Sequence, residues 1–283
     1  MSETNLKNSP QTSMWPASTR WTEHVLMYVV RDTRGCGLSE TERMNRFPAT
    51  PFCCISWMLE GEVHLLQQGE QVRDQRLPRI ALVGCQSHYG NSINIGDRHS
   101  FMAVFFSDAF HRLFEVDLSL LQDRFVDACD YLNAAGRDLL QAVAAASDHT
   151  QRRVLIEEFV AAHAHRLESN PWLKLRRLGS NLSLRVTSIL LGVGARQAQR
   201  RVRRETGLPL LGLSKLWRAK RSHHKLKETL DQGKPLNWAE HASAQGYADQ
   251  SHMVRDCKEI TGRSPQQILN DIQKNENDWM YRL

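Results

Sequence analysis

The sequence has no CxxC pair among its six cysteines and no Cys/His spacing of a zinc site. No apolar run approaches the ~20 residues a membrane helix needs. The first 20 residues are polar, carry Pro10 and Pro16, and lack the apolar stretch of a secretory signal. They are expected to form a flexible tail. These absences point to a cytoplasmic protein with reduced thiols. Disorder throughout is also excluded, because 41% of the residues are apolar and only 24% are charged.

A catalytic or metal constellation is likewise missing from the pattern. Metal-dependent barrel chemistry needs clustered His and Glu, yet His64, His88 and His99 are scattered without a His-x-His among them. His163 and His165 stand two apart on an expected helix, so they do not share a face. Cys53 and Cys54 are adjacent in an expected strand and point to opposite faces, which prevents joint chelation. The expectation is no catalytic residue, no metal and no cofactor. The alternative is a thiol- or metal-dependent enzyme fused to a DNA-binding module, with Cys53-Cys54 as redox sensor or methyl acceptor.

What is present is a charge step. A chain of 283 residues suggests two domains. Residues 171–283 hold 21 Lys and Arg against 10 Asp and Glu, a net of +11, while residues 1–170 carry a net of −5. A basic second part beside an acidic first part suggests a polyanion-binding module joined to a domain with another task. The boundary is expected at Ser169-Asn170-Pro171, giving domains 21–170 and 171–283. The charge step and Pro171 suggest that the second folds on its own.

Between residues 21 and 107 the pattern favours strands. Residues 52–59 and 62–66 read as a pair about a Glu60-Gly61 turn; 79–84 and 101–107 read as two more, and 90–94 and Gly96-Asp97 as breaks. Strands at this spacing predict a small barrel or sandwich. From residue 108 the texture becomes helical, with helices at 109–114, 137–146 and from a Thr150 cap to 168. Residues 173–181 form a basic linker or docking helix. Further helices are expected at 183–191, 195–206, 210–230, 238–244 and 250–261, with a tail from 265 to about 274. The fold class is therefore α+β, a β-rich domain ending in helices followed by an all-α domain.

The helical part contains a repeat. Arg200-Arg201-Val202-Arg203-Arg204-Glu205-Thr206-Gly207 is echoed 55 residues later by Arg255-Asp256-Cys257-Lys258-Glu259-Ile260-Thr261-Gly262. Each copy follows a short helix and a Gly-containing turn, which is a helix-turn-helix pattern. The second helix of such a unit needs an apolar face for packing and long polar side chains for base edges. Ala198 and Val202 supply the first face in one copy, Met253 and Cys257 in the other.

The stretch Gly246-Tyr247-Ala248-Asp249-Gln250-Ser251-His252, then Arg255 and Thr261-Gly262-Arg263-Ser264-Pro265, resembles the signature of AraC/XylS-type regulators. The resemblance covers about residues 173–275 and includes Leu216-Trp217-Arg218-Ala219-Lys220 in the connecting helix. It implies two helix-turn-helix units held apart by a long helix, with both recognition helices in successive major grooves of double-stranded DNA. The base-facing residues it implies are Arg196, Gln199 and Arg200 in the first unit and Gln250, Ser251, Val254 and Arg255 in the second. Arg203 and Lys258, further along their helices, are expected at the phosphate backbone. The first unit departs from the pattern: Gly194 replaces a capping Ser, and Ala198 and Val202 are smaller than usual. Its packing is therefore expected to be looser or differently filled.

In this family the partner domain commonly senses a ligand or mediates dimerisation, in several members through a cupin-like barrel. Arg46-Phe47-Pro48-Ala49 and the stretch 57–62 weakly resemble such N-terminal domains. The implied function is transcription regulation, with a small-molecule effector, RNA polymerase and a second copy of the chain as expected partners.

Overall fold

The computed structural model describes residues 8–168, 170–178, 183–233, 235–272 and 274–282. The expected break at Ser169 and the end of the expected linker at Asn181 lie outside them. The N-terminal part is one eight-stranded antiparallel sheet of order β1-β2-β7-β4-β6-β8, with β3 on β7 and β5 on β4. Its strands are β1 Gln11–Pro16, β2 Val25–Asp32, β3 Met44–Phe47, β4 Phe52–Gln68, β5 Gln71–Arg76, β6 Ile80–Val83, β7 Gly90–Phe106 and β8 Phe125–Asp127. The expected barrel or sandwich resolves as this single sheet.

Three expectations are corrected here. Part of the anticipated loose tail, β1, is an edge strand registered on β2 from Gln11↔Asp32 to Pro16↔Met27. Glu60-Gly61 is a bulge inside the 17-residue β4, with no hairpin turn. Gly61 has φ +86°, and a Cβ there would clash with the Asp97 carbonyl oxygen on β7. Only glycine tolerates that backbone and that approach. The expected breaks at 90–94 and Gly96-Asp97 likewise fall inside β7, which is also 17 residues long.

Helices α1 Ser107–Phe114, α2 Ala128–Tyr131, α3 Ala134–Ala145 and α4 His149–Ala162 cover the sheet. The cap of α4 is Asp148, whose carboxylate accepts from Gln151 N–H at 2.8 Å, in place of the expected Thr150. Trp57, 1% exposed, donates its indole N–H to the Leu140 carbonyl at 3.1 Å and so ties sheet to α3.

The C-terminal part is α5 Trp172–Leu178, α6 Leu184–Leu191, α7 Ala195–Thr206, α8 Leu210–Asp231, α9 Trp238–Ala244, α10 Gln250–Thr261 and α11 Pro265–Asp271, then a 3-10 stretch Glu276–Arg282. Among its described residues only Ala242, Tyr247 and Met253 of the second unit form a small separate core, with Trp238 packed against it. Ala198, Val202, Leu208, Leu213, Leu216 and Ile260 belong to the same buried cluster as Trp57, Phe105 and Phe110. Trp217 on α8 meets Phe52 edge-on at 5.5 Å and stacks on Phe106 at 6.2 Å. The packing is thus continuous across the charge step.

Candidate nucleic-acid interface

The first unit is α6, the turn Gly192-Val193-Gly194, and α7. Ser183 caps α6 by accepting from Val186 N–H at 3.2 Å, and Gly192 closes it at φ +66°. Gly194 leaves α7 without a side-chain cap. Ala198 and Val202 are fully buried, on a helix that packs against α6, against α1 and against the 3-10 turn Leu118–Leu120 of the β-rich part. The core around them is thus shared between α6 and the β-rich part, and is filled in part from outside the unit. Arg196, Gln199, Arg200 and Arg203 lie on the opposite, exposed face.

The C-terminal end of α7 is held by polar contacts that sequence reasoning missed. Glu205, 2% exposed, accepts from the Trp172 indole N–H and from Arg201 Nε, both at 2.6 Å. Burial would raise its pKa, but these hydrogen bonds outweigh burial and hold it below the ordinary glutamate value. The Cys85 thiol donates to the Thr206 carbonyl at 2.8 Å, so the sheet domain caps the recognition helix.

The second unit is α9, Gly246, and α10. Asn237 caps α9, and Asp249 caps α10 by accepting from His252 N–H at 2.7 Å. Met253 is buried as expected; Cys257 is only half-buried, and Asp256 and Ile260 complete the inner face. Gln250, Ser251, Arg255 and Lys258 are exposed and Val254 half-buried. Asp256 carries the tie to α8: Arg218 Nη2 lies 2.8 Å from it and Lys215 Nζ 3.8 Å. The same Arg218 guanidinium sits 4.6 Å from the Tyr247 ring centroid. His241 and Ser222 join α9 to α8 at 2.9 Å.

The repeated Thr-Gly has one explanation in both units. The Thr206 and Thr261 hydroxyls each donate to the carbonyl four residues back, Val202 and Cys257, at 2.7 Å. Gly207 and Gly262 then adopt φ +75° and +73° and return their N–H to Arg203 and Lys258 at 2.9 and 2.7 Å. A left-handed glycine ends each recognition helix and satisfies its terminal carbonyls.

Residues 188–271 match the model of a family described as a helix-turn-helix domain. This segment is a helix-turn-helix domain of the AraC type. The AraC-type segment makes the chain a DNA-binding regulator of transcription. No curated protein matches the chain. Among solved structures, an apo form of ToxT from Vibrio cholerae carrying one Lys-to-Ala substitution is 12% identical, with 86% of this chain and 96% of that chain covered and a TM-score of 0.44. ToxT from the same organism bound to (E)-4-(8-methylnaphthalen-1-yl)but-3-enoic acid is 13% identical over 81% and 97%, with a TM-score of 0.42. The unsaturated fatty acid-bound ToxT gives 12% over 86% and 94%, with a TM-score of 0.40.

A cavity of about 390 Å³ lies where the sheet faces α8 and the second unit. Its wall is mostly apolar, with Met58, Met102, Leu226 and Trp279 from both sides. Arg98 and Lys220 also line it. Arg98 is 6% exposed; its Nε donates to Ser100 at 3.0 Å and its Nη1 to Asn94 and Asn45 at 3.4 and 3.5 Å. Burial, with Arg31 nearby, lowers its pKa to about 10, and among the described residues no carboxylate pairs with it. Lys220 lies 4.5 Å from the Phe52 ring centroid, and desolvation lowers its pKa.

The cysteines and histidines sort differently from a catalytic set. Cys53 approaches Cys85, not Cys54, at 3.9 Å. Burial raises the pKa of Cys54 to about 12 and that of Cys85 well above the ordinary thiol value, which disfavours the reactive thiolate. His99 and His149 meet Nε2 to Nε2 at 3.1 Å, a pairing across 50 residues that no sequence spacing signalled. Among the described residues no three His, Cys, Asp or Glu side chains gather to hold a metal. No helix among the described residues is long and apolar enough to cross a membrane.

Proposed function

We propose that the chain regulates transcription by reading double-stranded DNA with α7 and α10 in successive major grooves. One observation carries this reading. Each second helix ends in a left-handed glycine and is buried on one face, and each holds its long polar side chains outward. Among the described residues, Arg196, Gln199, Arg200, Arg203, Gln250, Arg255 and Lys258 have no intramolecular side-chain partner. Free, exposed donors at the start of a helix are what base edges require. Arg196, Gln199, Arg200, Gln250, Ser251, Val254 and Arg255 are assigned to bases, Arg203 and Lys258 to phosphates. The functional boundary is placed near residue 170, with 171–283 as the DNA-binding domain and 21–170 as the modulating domain. RNA polymerase and a second copy of the chain are further proposed partners.

The modulating domain is proposed to act through a small molecule in the cavity. A buried guanidinium without a carboxylate partner is costly. Beside an apolar wall it suits an anion with an apolar body. A regulator fits these features better than an enzyme, because burial pushes the Cys54 and Cys85 thiols up and disfavours their reactive thiolates.

The test is titration of variants against every single-base change of a selected duplex, at two salt concentrations. Arg196→Ala and Gln250→Ala are expected to relax preference at one or two base pairs each, by about 1–3 kcal/mol for a lost bidentate contact. Lys258→Ala is expected to weaken all sequences alike and to reduce the salt slope by about one unit. Uniform losses for all three would leave only a nonspecific basic surface.

A further inference from the structure

The last described residues, Glu276–Arg282, run back from the second unit to the sheet. They are pinned on both sides. Toward the sheet domain, Glu276 pairs with Arg31, and Asp278 lies 3.5 Å from Arg46. The Trp279 indole N–H donates to Asn45 at 2.9 Å, and the Arg31 and Arg98 guanidinium carbons sit 5.1 and 5.7 Å from its ring centroid. Toward the second unit, Asp278 pairs with Arg263 at 2.7 Å, and the Tyr281 hydroxyl reaches the Thr261 carbonyl at 3.5 Å. Asp278 is fully buried and Trp279 2% exposed. One carboxylate thus joins an arginine of β3 to the arginine that follows α10, and its neighbour Trp279 is a wall of the cavity.

We propose that residues 276–282 form a coupling strap that transmits occupancy of the cavity to the second helix-turn-helix unit. The proposal rests on the cavity reading above. A ligand shifts a conformational equilibrium only through contacts that differ between the states. The strap supplies such a contact. An anionic head group that takes up Arg98 acts on the guanidinium beside the Trp279 ring. Movement of Trp279 is carried through Asp278 to Arg263, immediately after α10.

The experiment uses the full chain, decanoate as probe and decanol as its uncharged control. It measures ligand binding by calorimetry, amide exchange of residues 276–282, and affinity for a selected duplex. Decanoate is expected to bind, to alter exchange of the strap and to change DNA affinity at least tenfold; decanol is expected to change it less than twofold. The double variant Arg46→Met with Glu276→Gln loosens the strap from the sheet domain without altering a cavity-lining side chain. It is expected to bind decanoate with the DNA response reduced below threefold. If that variant does not fold, the single change Glu276→Gln weakens the pairing with Arg31 without touching the cavity wall, and a response below wild type is expected. A full tenfold response in the loosened variants, or decanoate binding without any DNA response in the wild type, overturns the strap and leaves the cavity reading standing. Failure of decanoate to bind the wild type overturns both.

Discussion

Replacing Glu205 with alanine is expected to loosen the first recognition helix by an amount the geometry sets. The carboxylate accepts two hydrogen bonds at 2.6 Å, from Trp172 Nε1 and Arg201 Nε, and is 2% exposed. A hydrogen bond to a charged group contributes about 1.5–3 kcal/mol, and a buried donor left unpaired costs about 1–3. Trp172 is 2% exposed, so its indole N–H finds no water once Glu205 is gone. The Arg201 side chain is 27% exposed and recovers part of its loss from solvent. The expected destabilisation is therefore about 3–4 kcal/mol, near the cost of breaking a buried pair. Glu205→Gln keeps an acceptor for the indole and is expected to cost about half as much. For a chain of this size the alanine change lowers Tm by roughly 6–16 °C. Because Glu205 is held below the ordinary glutamate pKa of 4.5, its contribution is present above that value and lost as pH falls through the folded pKa. Thermal melts of both variants at neutral and acid pH measure this. Equal losses for Ala and Gln, or an alanine loss below about 1 kcal/mol, would refute the pairing as the anchor of α7.

Other substitutions probe other joints. Arg218→Met removes the 2.8 Å partner of Asp256 while Lys215 remains at 3.8 Å; about 2 kcal/mol of stability should be lost, with most of it recovered in a double variant carrying Asp256→Asn. Gly207→Ala places a side chain at φ +75° with its Cβ 3.1 Å from the Leu118 carbonyl oxygen, and should cost about 1–3 kcal/mol in chemical denaturation. Burial lowers the pKa of His99 and His149 below 6.5, so the fold favours the neutral rings. Stability is then full above that pH and declines as pH falls below it; denaturation of His149→Gln should show a flatter decline.

The helical units were legible in sequence to a degree the sheet was not. Sequence limits of α7, α9 and α10 coincide with the structure because local chemistry marks their ends: Asp249 and Asn237 cap, Gly207 and Gly262 stop. The strands β4 and β7 are set by pairing with each other, so Gly61 and Gly96 looked like turns although one is a bulge and both lie within strands. Residues 11–16 carry no strand signal of their own; β2 supplies the order. The charge step falls where the sheet domain gives way to the helical units, but packing crosses it, since Val202 and Leu216 share one buried core with the sheet domain. Contacts such as Trp279 to Asn45 span 234 residues and have no periodicity to betray them. Exposed polar side chains, by contrast, follow from spacing on a single helix, and Arg196 and Gln250 stand exposed where the repeat put them.

Guanine N7 methylation interference on duplexes selected from a random pool tests directly whether two helices enter two major grooves. N7 lies in the major groove, so methylation there blocks an entering helix. The expected pattern is two clusters of interference about one helical turn, roughly 10–10.5 base pairs, apart on one face of the duplex. Arg196→Ala should weaken discrimination in one cluster and Gln250→Ala in the other. A single cluster, or none with binding retained, would contradict the two-unit reading.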